Sequence, residues 1–424
     1  PEPTASKMPE IAEQHSSSSS PFFRLLLALL SWVQTVLDVV DAGSCLAILG
    51  VIFVGALYCL HIIGLCYGKH RLHHPAPLDS STLPGVSVIK PIVGIDDNLS
   101  KNLESLFTSR HPQLELLFCF ESSDEPGIEV VQTLMEKFPN VDSKVFIGGI
   151  KVGLNPKVNN MAAAYAVAKY PLVAINDSGI YMRPDAISDM AATIMQDDKM
   201  ALVTQIPFCE DRTGFAAAFE HVYFGTSHAR IYLAGNCLRF NCPTGMSSMF
   251  RKEVLDQCGG FEAIGEYLAE DYFIGKKMTE LGYKSGISAH PALQNVSSVT
   301  FNAFFNRVGR WFKLRLSMMP QIVLDCFPSG TIISYSLHYL FGIDIIPIFT
   351  LHVIFWITVD FMVLNIMQNT PLPFSILEFI VLWTLRELSF PIIFVKAVMD
   401  SGIRWRNKVI IVNWGGKIKS VSYV

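Results

Sequence analysis

The sequence predicts an α/β domain with a mainly parallel sheet, set between membrane segments, and three observations predict it. Short apolar runs alternate with amphipathic helices from Val86 to Gln205. The 25 residues from Gly43 to Tyr67 contain no Asp, Glu, Lys or Arg. A second apolar block spans residues 322–398. Composition agrees, since 50% of the residues are hydrophobic and 17% charged, against about 25% charged in an ordinary soluble domain. A net charge of −4 without a long basic stripe argues against nucleic acid as a partner.

Residues 1–20 are polar and end in a serine run, which predicts disorder. Phe22 to Leu37 is apolar but has only 13 residues between Arg24 and Asp38, fewer than a span needs. It reads as a signal-peptide core, an interfacial helix or a species-specific extension, within a lumenal stretch 1–42. Gly43–Tyr67 is long enough to cross a hydrocarbon core of about 30 Å, and it has no polar face. Asp38 and Asp41 precede it while Lys69 and Arg71 follow, so the positive-inside rule places residue 68 onward in the cytosol. The 9 cysteines form no C-x-x-C and read as reduced thiols, in keeping with that side.

Pro75 to Pro84 is a linker. Buried strands are expected at Val86–Ile89, Leu114–Phe120, Lys144–Ile147, Leu172–Asn176 and Ala201–Gln205. Helices fit Leu99–Thr108, Ile128–Phe138, Val158–Lys169 and Asp185–Met195 between them. Strands alternating with helices give a parallel sheet covered on both faces, and ligands bind such sheets beyond the carboxyl ends of the strands.

The second strand ends in Glu121-Ser122-Ser123-Asp124-Glu125-Pro126, whose acids could accept hydrogen bonds from a base or ribose; Asp124 also suits a turn or helix cap. The fourth ends in Asn176-Asp177-Ser178-Gly179, where the carboxylate suits either a divalent cation bridging to phosphate or a turn. Lys157 stands near the start of a helix after a glycine-rich loop, where a bound anion would relieve its clash with the helix dipole; a solvated lysine is the alternative. His228 is a pocket candidate that fits a structural role as well. There is no G-x-G-x-x-G and no P-loop motif.

Asp271, at the expected start of a helix in Ala269-Glu270-Asp271-Tyr272-Phe273, offers a base. Farther on, Phe301, Phe304, Phe305, Val308 and Phe312 share one helical face while Arg307, Arg310 and Lys313 share the opposite one. Such a helix would lie in the membrane interface with its phenylalanines in lipid and its arginines toward the cytosolic domain, or be a basic surface helix on anionic lipid; the opposed faces support either. Ile322–Phe341, Ile345–Leu364 and Phe374–Val398 are apolar, the first carrying Asp325 and the third Arg386-Glu387. The basic tail, residues 399–424, favours the cytosol. Three crossings would instead leave it on the lumenal side.

Residues 84 to 320 resemble the ceramide glucosyltransferases, whose GT-A catalytic domain is allied to the family 2 glycosyltransferases. The matching stretches are Leu83 to Pro91, Phe146 to Gly149, Asn155 to Asn160, Asp177 to Ile180, Val222 to His228, Thr244 to Ser247, Ala269 to Phe273 and Arg307 to Trp311. The resemblance implies a GT-A domain over 84–300, an interfacial helix over 301–320, and two to three C-terminal crossings in 321–398. It implies inverting transfer of glucose from UDP-glucose to ceramide by a multi-pass Golgi membrane protein with its catalytic domain in the cytosol. Asp271 would be the catalytic base. Asp124, Glu125, Lys157, Asp177, His228, Arg307, Arg310 and Trp311 would hold the nucleotide sugar, and Asp177 a Mg or Mn ion. The sequence departs from the family pattern at Glu125, where the family has aspartate. Two rivals are a processive polysaccharide synthase, which needs a channel of several long helices, and a non-catalytic membrane-anchored lipid or nucleotide binding protein.

Overall fold

The computed structural model describes residues 31, 41–76, 82–241, 243–297, 299–320, 323, 327–400, 402–405 and 408–423. The N-terminal segments other than Ser31, and Asp325, lie outside these. The chain forms two compact units, Pro1–Val54 with Gly330–Phe349, and Gly55–Ser329 with Thr350–Val424. In the first, Tyr339 Oη donates to Asp41 Oδ1 at 2.8 Å. The second holds both sheet and cleft. Helix α1, Ala42–Arg71, contains the expected membrane segment.

Strands β1 (Val86–Ile92), β2 (Leu114–Phe120), β3 (Asp142–Ile147) and β4 (Leu172–Asn176) alternate with α2 (Leu99–Phe107), α3 (Gly127–Lys137) and α4 (Pro156–Val167). They pair in parallel, with Ile89 opposite both Leu117 and Ile175. Helices cover both faces of β1, β2 and β4, so these three are buried nearly throughout and their apolar runs show no alternation. Strand β3 lies at the sheet edge and is largely exposed, so the buried strand expected at Lys144–Ile147 is a partly solvated edge strand. Next come β5 (Ile180–Tyr181), α5 (Ala186–Met195), β6 (Met200–Thr204), β7 (Pro207–Cys209) and α6 (Phe215–Tyr223). A π-helical turn at Phe224–His228 leads into α7 (Ala229–Cys237).

Beyond it the alternation fails. Strand β8 (Ser247–Arg251) runs antiparallel between β4 and β6. Helices α8 (Lys252–Gln257) and α9 (Glu270–Glu280) and strands β9 (Lys284–Ile287) and β10 (Ala292–Gln294) follow. The central sheet has the order β3-β2-β1-β4-β8-β6-β9, while β5, β10 and β7 form a small second sheet. The insertion of β8 matters for chemistry: it carries the turn 244–246 to the end of β4, where the Asp177 N–H donates to Met246 O at 2.9 Å.

Helix α10, Phe301–Met318, starts at Thr300, whose hydroxyl caps the Ala303 N–H. Protein covers most of its apolar face. Phe304, Val308 and Phe312 are buried, with Phe304 against Phe219 and Tyr223 and Phe312 against Phe390 and Phe394. The last two belong to α13 (Ile376–Met399), which follows α11 (Ser329–Phe341) and α12 (Ile345–Gln368). Among the described residues, α1 and α12 are the helices long and apolar enough to cross a membrane.

The Arg386 flagged in the third apolar segment is paired. Its Nη2 lies 2.8 Å from Asp360 Oδ2, which also accepts from Trp383 Nε1 at 2.9 Å. Asp360 Oδ1 receives Arg230 at 3.0 Å and His61 at 3.2 Å.

The tail folds. Strands β11 (Ile403–Trp405), β12 (Lys408–Val412) and β13 (Ile418–Tyr423) make an antiparallel sheet. Ile403, Ile410 and Ile418 form its core with Leu154, Leu268 and Leu314. Helix α13 packs on α10 and α6.

Candidate active site

A cleft of about 640 Å³ opens at the carboxyl ends of β1, β2 and β4, where the parallel-sheet rule places ligands. Lys157, Asp177, His228, Asp271, Arg307, Arg310 and Trp311 all line it. Asp124 and Glu125 do not. The Asp124 side chain is exposed and accepts from Ser122 Oγ, which holds its carboxyl below the usual range. Glu125 Oε2 accepts the Gly94 N–H at 2.7 Å and ties the loops after β1 and β2 together.

The carboxylates of that rim are instead Asp96 and Glu121. Asp96 accepts from the Ser297 hydroxyl at 2.8 Å and the Asn98 N–H at 2.9 Å. Both residues stand where strand ends predict ligands. Glu121 belongs to the acidic stretch that ends β2, whereas the loop after β1, with Asp96, carries no motif in the sequence that marks it.

At the centre, Lys157 Nζ lies 2.8 Å from Asp177 Oδ1, 2.7 Å from Glu270 Oε1 and 3.0 Å from Gly245 O. Asn155 fixes its position by capping α4, accepting from the Lys157 N–H at 2.9 Å while its own amide donates to Tyr267 O at 2.7 Å. Burial alone would lower Lys157, but Asp177 and Glu270 outweigh it and hold the ammonium well above its ordinary range. The dipole conflict is therefore answered by two carboxylates of the chain itself.

Asp271 is half-buried in the first turn of α9. Burial first, then the neighbouring Glu270 carboxylate, push its carboxyl up to about 7, against the opposing pull of the Tyr272 N–H and Lys157. A methyl group on Gly245 would stand 3.2 Å from Asp271 Oδ2, 3.2 Å from Glu270 Oε1 and 3.4 Å from Lys157 Nζ. Three functional groups thus converge on one glycine.

Beneath Asp177, the fully buried Lys90 donates to Asn176 Oδ1 and to Ile180 O, clasping both sides of the turn. Burial pushes this lysine down to about 7, partly offset by Asp177.

The far wall is α10. Arg307 is salt-bridged to the buried Glu220, which Arg212 also engages at 2.6 Å, and burial lowers Arg307 to about 10. Its guanidinium lies 5.5 Å from the Trp311 ring centre. Trp311 in turn approaches Phe224 and His228, each 6.0 Å between ring centres. His228 stacks on Tyr232 at 4.7 Å. Burial, then Arg315, hold His228 well below its ordinary pKa, so the ring is neutral. Leu314, Met318 and Met319 continue this wall as an apolar strip, joined by Ile403 and Trp405 of β11.

A family model described as glycosyl transferase family 21 matches residues 56–418. Ceramide glucosyltransferase 3 of Caenorhabditis elegans is 56% identical over 383 residues, covering 89% of this chain and 83% of the relative. Ceramide glucosyltransferase 1 of the same organism is 52% identical over 417 residues, covering 97% and 88%. The chain is also similar to a solved mannosyltransferase from Pyrobaculum calidifontis in complex with GDP-Man and Mn2+, at 15% identity and a TM-score of 0.44, covering 84% of this chain and 95% of that one. The family match takes in sheet, cleft and C-terminal segments together, and the chain therefore belongs to glycosyl transferase family 21, as a glycosyltransferase with a GT-A-like sheet.

Proposed function

We propose that this protein transfers glucose from UDP-glucose to the primary hydroxyl of ceramide, with inversion, to give glucosylceramide. The observation that carries the reading is the convergence of Asp271, Lys157 and Asp177 in one cleft whose far wall is cationic and then apolar. The names of the two nematode relatives give the acceptor and the sugar.

In the reaction, the acceptor oxygen attacks the anomeric carbon as the bond from that carbon to the diphosphate oxygen breaks. The acceptor's proton passes to Asp271, whose raised pKa suits a base working near neutrality. UDP departs with the bonding electrons. Arg310 and Lys157 receive its developing charge, with Arg307 held beside them through Glu220. Trp311 and the neutral His228 wall the sugar's compartment. Asp96 and Glu121, not Asp124 and Glu125, take the nucleoside end.

Among the described residues no cluster of three or more His, Cys, Asp or Glu could hold a resident metal. Asp177 by itself fits an ion carried in by the diphosphate, because Mg2+-type ions take one or two carboxylates plus substrate phosphates. A Mg or Mn ion bound there would neutralise charge on the leaving group. The apolar strip from Leu314 to Met319 suits the acceptor's chains. Residence in the Golgi membrane with the cleft toward the cytosol accords with Lys69 and Arg71 at the sheet-domain end of α1 and Asp41 at its other end.

The test is radiolabelled sugar transfer in detergent–lipid micelles, comparing UDP-glucose with UDP-galactose, with and without ceramide. A single-sugar lipid that requires both UDP-glucose and ceramide supports the reading. Polymer formed without ceramide, or no transfer from either donor, overturns it.

A further inference from the structure

The C-terminal sheet brings a lysine into the cleft from outside the α/β domain. Lys408, the first residue of β12, is 7% exposed and lines the cleft together with Ile403 and Trp405. Its Nζ lies 2.5 Å from Glu121 Oε1 at the end of β2, and 5.4 Å from the Tyr423 ring centre. The placement is rigid. Ile418 N–H donates to Glu266 O and Gly415 N–H to Ser317 O, each at 2.8 Å, while Tyr267 bridges to Lys417. The sheet is therefore fastened to the chain just before Asp271 and to the last turn of α10.

An ion pair with one buried partner and one exposed partner adds little stability, because desolvation of the lysine and solvent screening of the carboxylate offset much of its attraction. The Glu121 side chain is 48% exposed, and it is exposed toward the cleft. The pair thus presents an ammonium donor beside a carboxylate acceptor. Glu121 would repel a phosphate placed there. A neutral heterocycle with adjacent carbonyl and N–H groups, or a ribose hydroxyl, satisfies both. The sheet order β2-β1-β4 sets Glu121 roughly 10 Å from Asp177, two strand spacings, which separates a nucleoside from its diphosphate.

We infer that Lys408 and Glu121 form a nucleoside-recognition pair, with Lys408 donating to a ring carbonyl, so that the C-terminal sheet completes the donor site. This rests on the proposed use of a nucleotide sugar.

The test uses the full-length protein in detergent, measuring Kd for UDP, GDP and ADP by calorimetry, with donor and acceptor KM alongside. Lys408→Gln should weaken UDP binding and raise donor KM about tenfold, with kcat and ceramide KM within twofold of wild type. Lys408→Arg should recover most of the loss. Glu121→Gln, which keeps the lysine and its sheet, guards against misfolding and should also weaken UDP more than ceramide. Unchanged UDP affinity in both Lys408→Gln and Glu121→Gln overturns the inference and leaves the donor reading standing. If wild type prefers GDP or ADP, the UDP reading fails and the pair is judged on that nucleotide. Wild type that binds none of the three sinks both.

Discussion

Lys157 Nζ stands 2.8 Å from Asp177 Oδ1 and shares its charge with Glu270, so a single lysine joins the turn after β4 to helix α9, which carries Asp271. Lys157 also favours the ionised form of Asp271. Removing it in Lys157→Gln therefore raises the Asp271 pKa, and the acid limb of kcat/KM against pH should move to higher pH. A limb that stays in place separates Lys157 from the base.

Asp271 itself carries a cost. Its folded pKa of about 7 lies above the model-peptide value of 3.8, so the native state binds the proton more tightly and stability falls as pH rises between those values. Asp271→Asn removes that cost. It should abolish transfer, leave UDP binding near wild type, and raise the thermal midpoint at pH 8 relative to pH 4. Lost UDP binding would reassign the residue to the donor site.

Gly245→Ala places a methyl group 3.2–3.4 Å from Asp271, Glu270 and Lys157. The three groups must give by a few tenths of an ångström, and misplacement of that kind costs roughly tenfold to a hundredfold in kcat. The midpoint of thermal unfolding should change little. Full turnover would mean that the geometry around this glycine is slack.

The two arginines of α10 should part company. Arg307→Ala leaves the buried Glu220 with one fewer cation, Arg212 remaining, and should cost about 2 kcal/mol of stability. On the proposed mechanism Arg310→Ala should lower kcat at least tenfold, through the charge of the departing diphosphate. Normal turnover in Arg310→Ala would remove it from that task.

Asp360 gathers Arg386, Arg230, His61 and Trp383 around one buried carboxylate. Breaking such a group by removing one partner costs about 3–5 kcal/mol. Asp360→Asn should sharply reduce the folded fraction recovered by size-exclusion chromatography in detergent. Wild-type recovery would show that the arginines find other partners.

The first four strands and their helices were legible to within three residues because β1, β2 and β4, buried on both faces, must read as apolar runs between amphipathic helices; β3, an exposed edge strand, kept its bounds but not its expected burial. What comes after Gln205 was not legible. Strand β8 is a Ser-rich run that earns its place through pairing with β4 and β6, a long-range fact that no local pattern carries. The phenylalanines of α10 look identical in sequence whether lipid or α13 covers them. In the site, Asp271, Asp177 and the arginines stood out through their order in the chain. Asp96 and Glu121 followed from the strand-end rule once applied to every strand. Lys408 lay beyond reach, since nothing in a basic tail shows that it folds back to β2.

The most direct test of the central claim is the anomeric configuration of the product that the purified protein makes from UDP-glucose and ceramide, read by proton NMR. The account predicts β-linked glucosylceramide, inverted from the α-linked donor by one displacement with Asp271 as base. An α-linked product would contradict it, because retention requires a second displacement or a different path through the cleft.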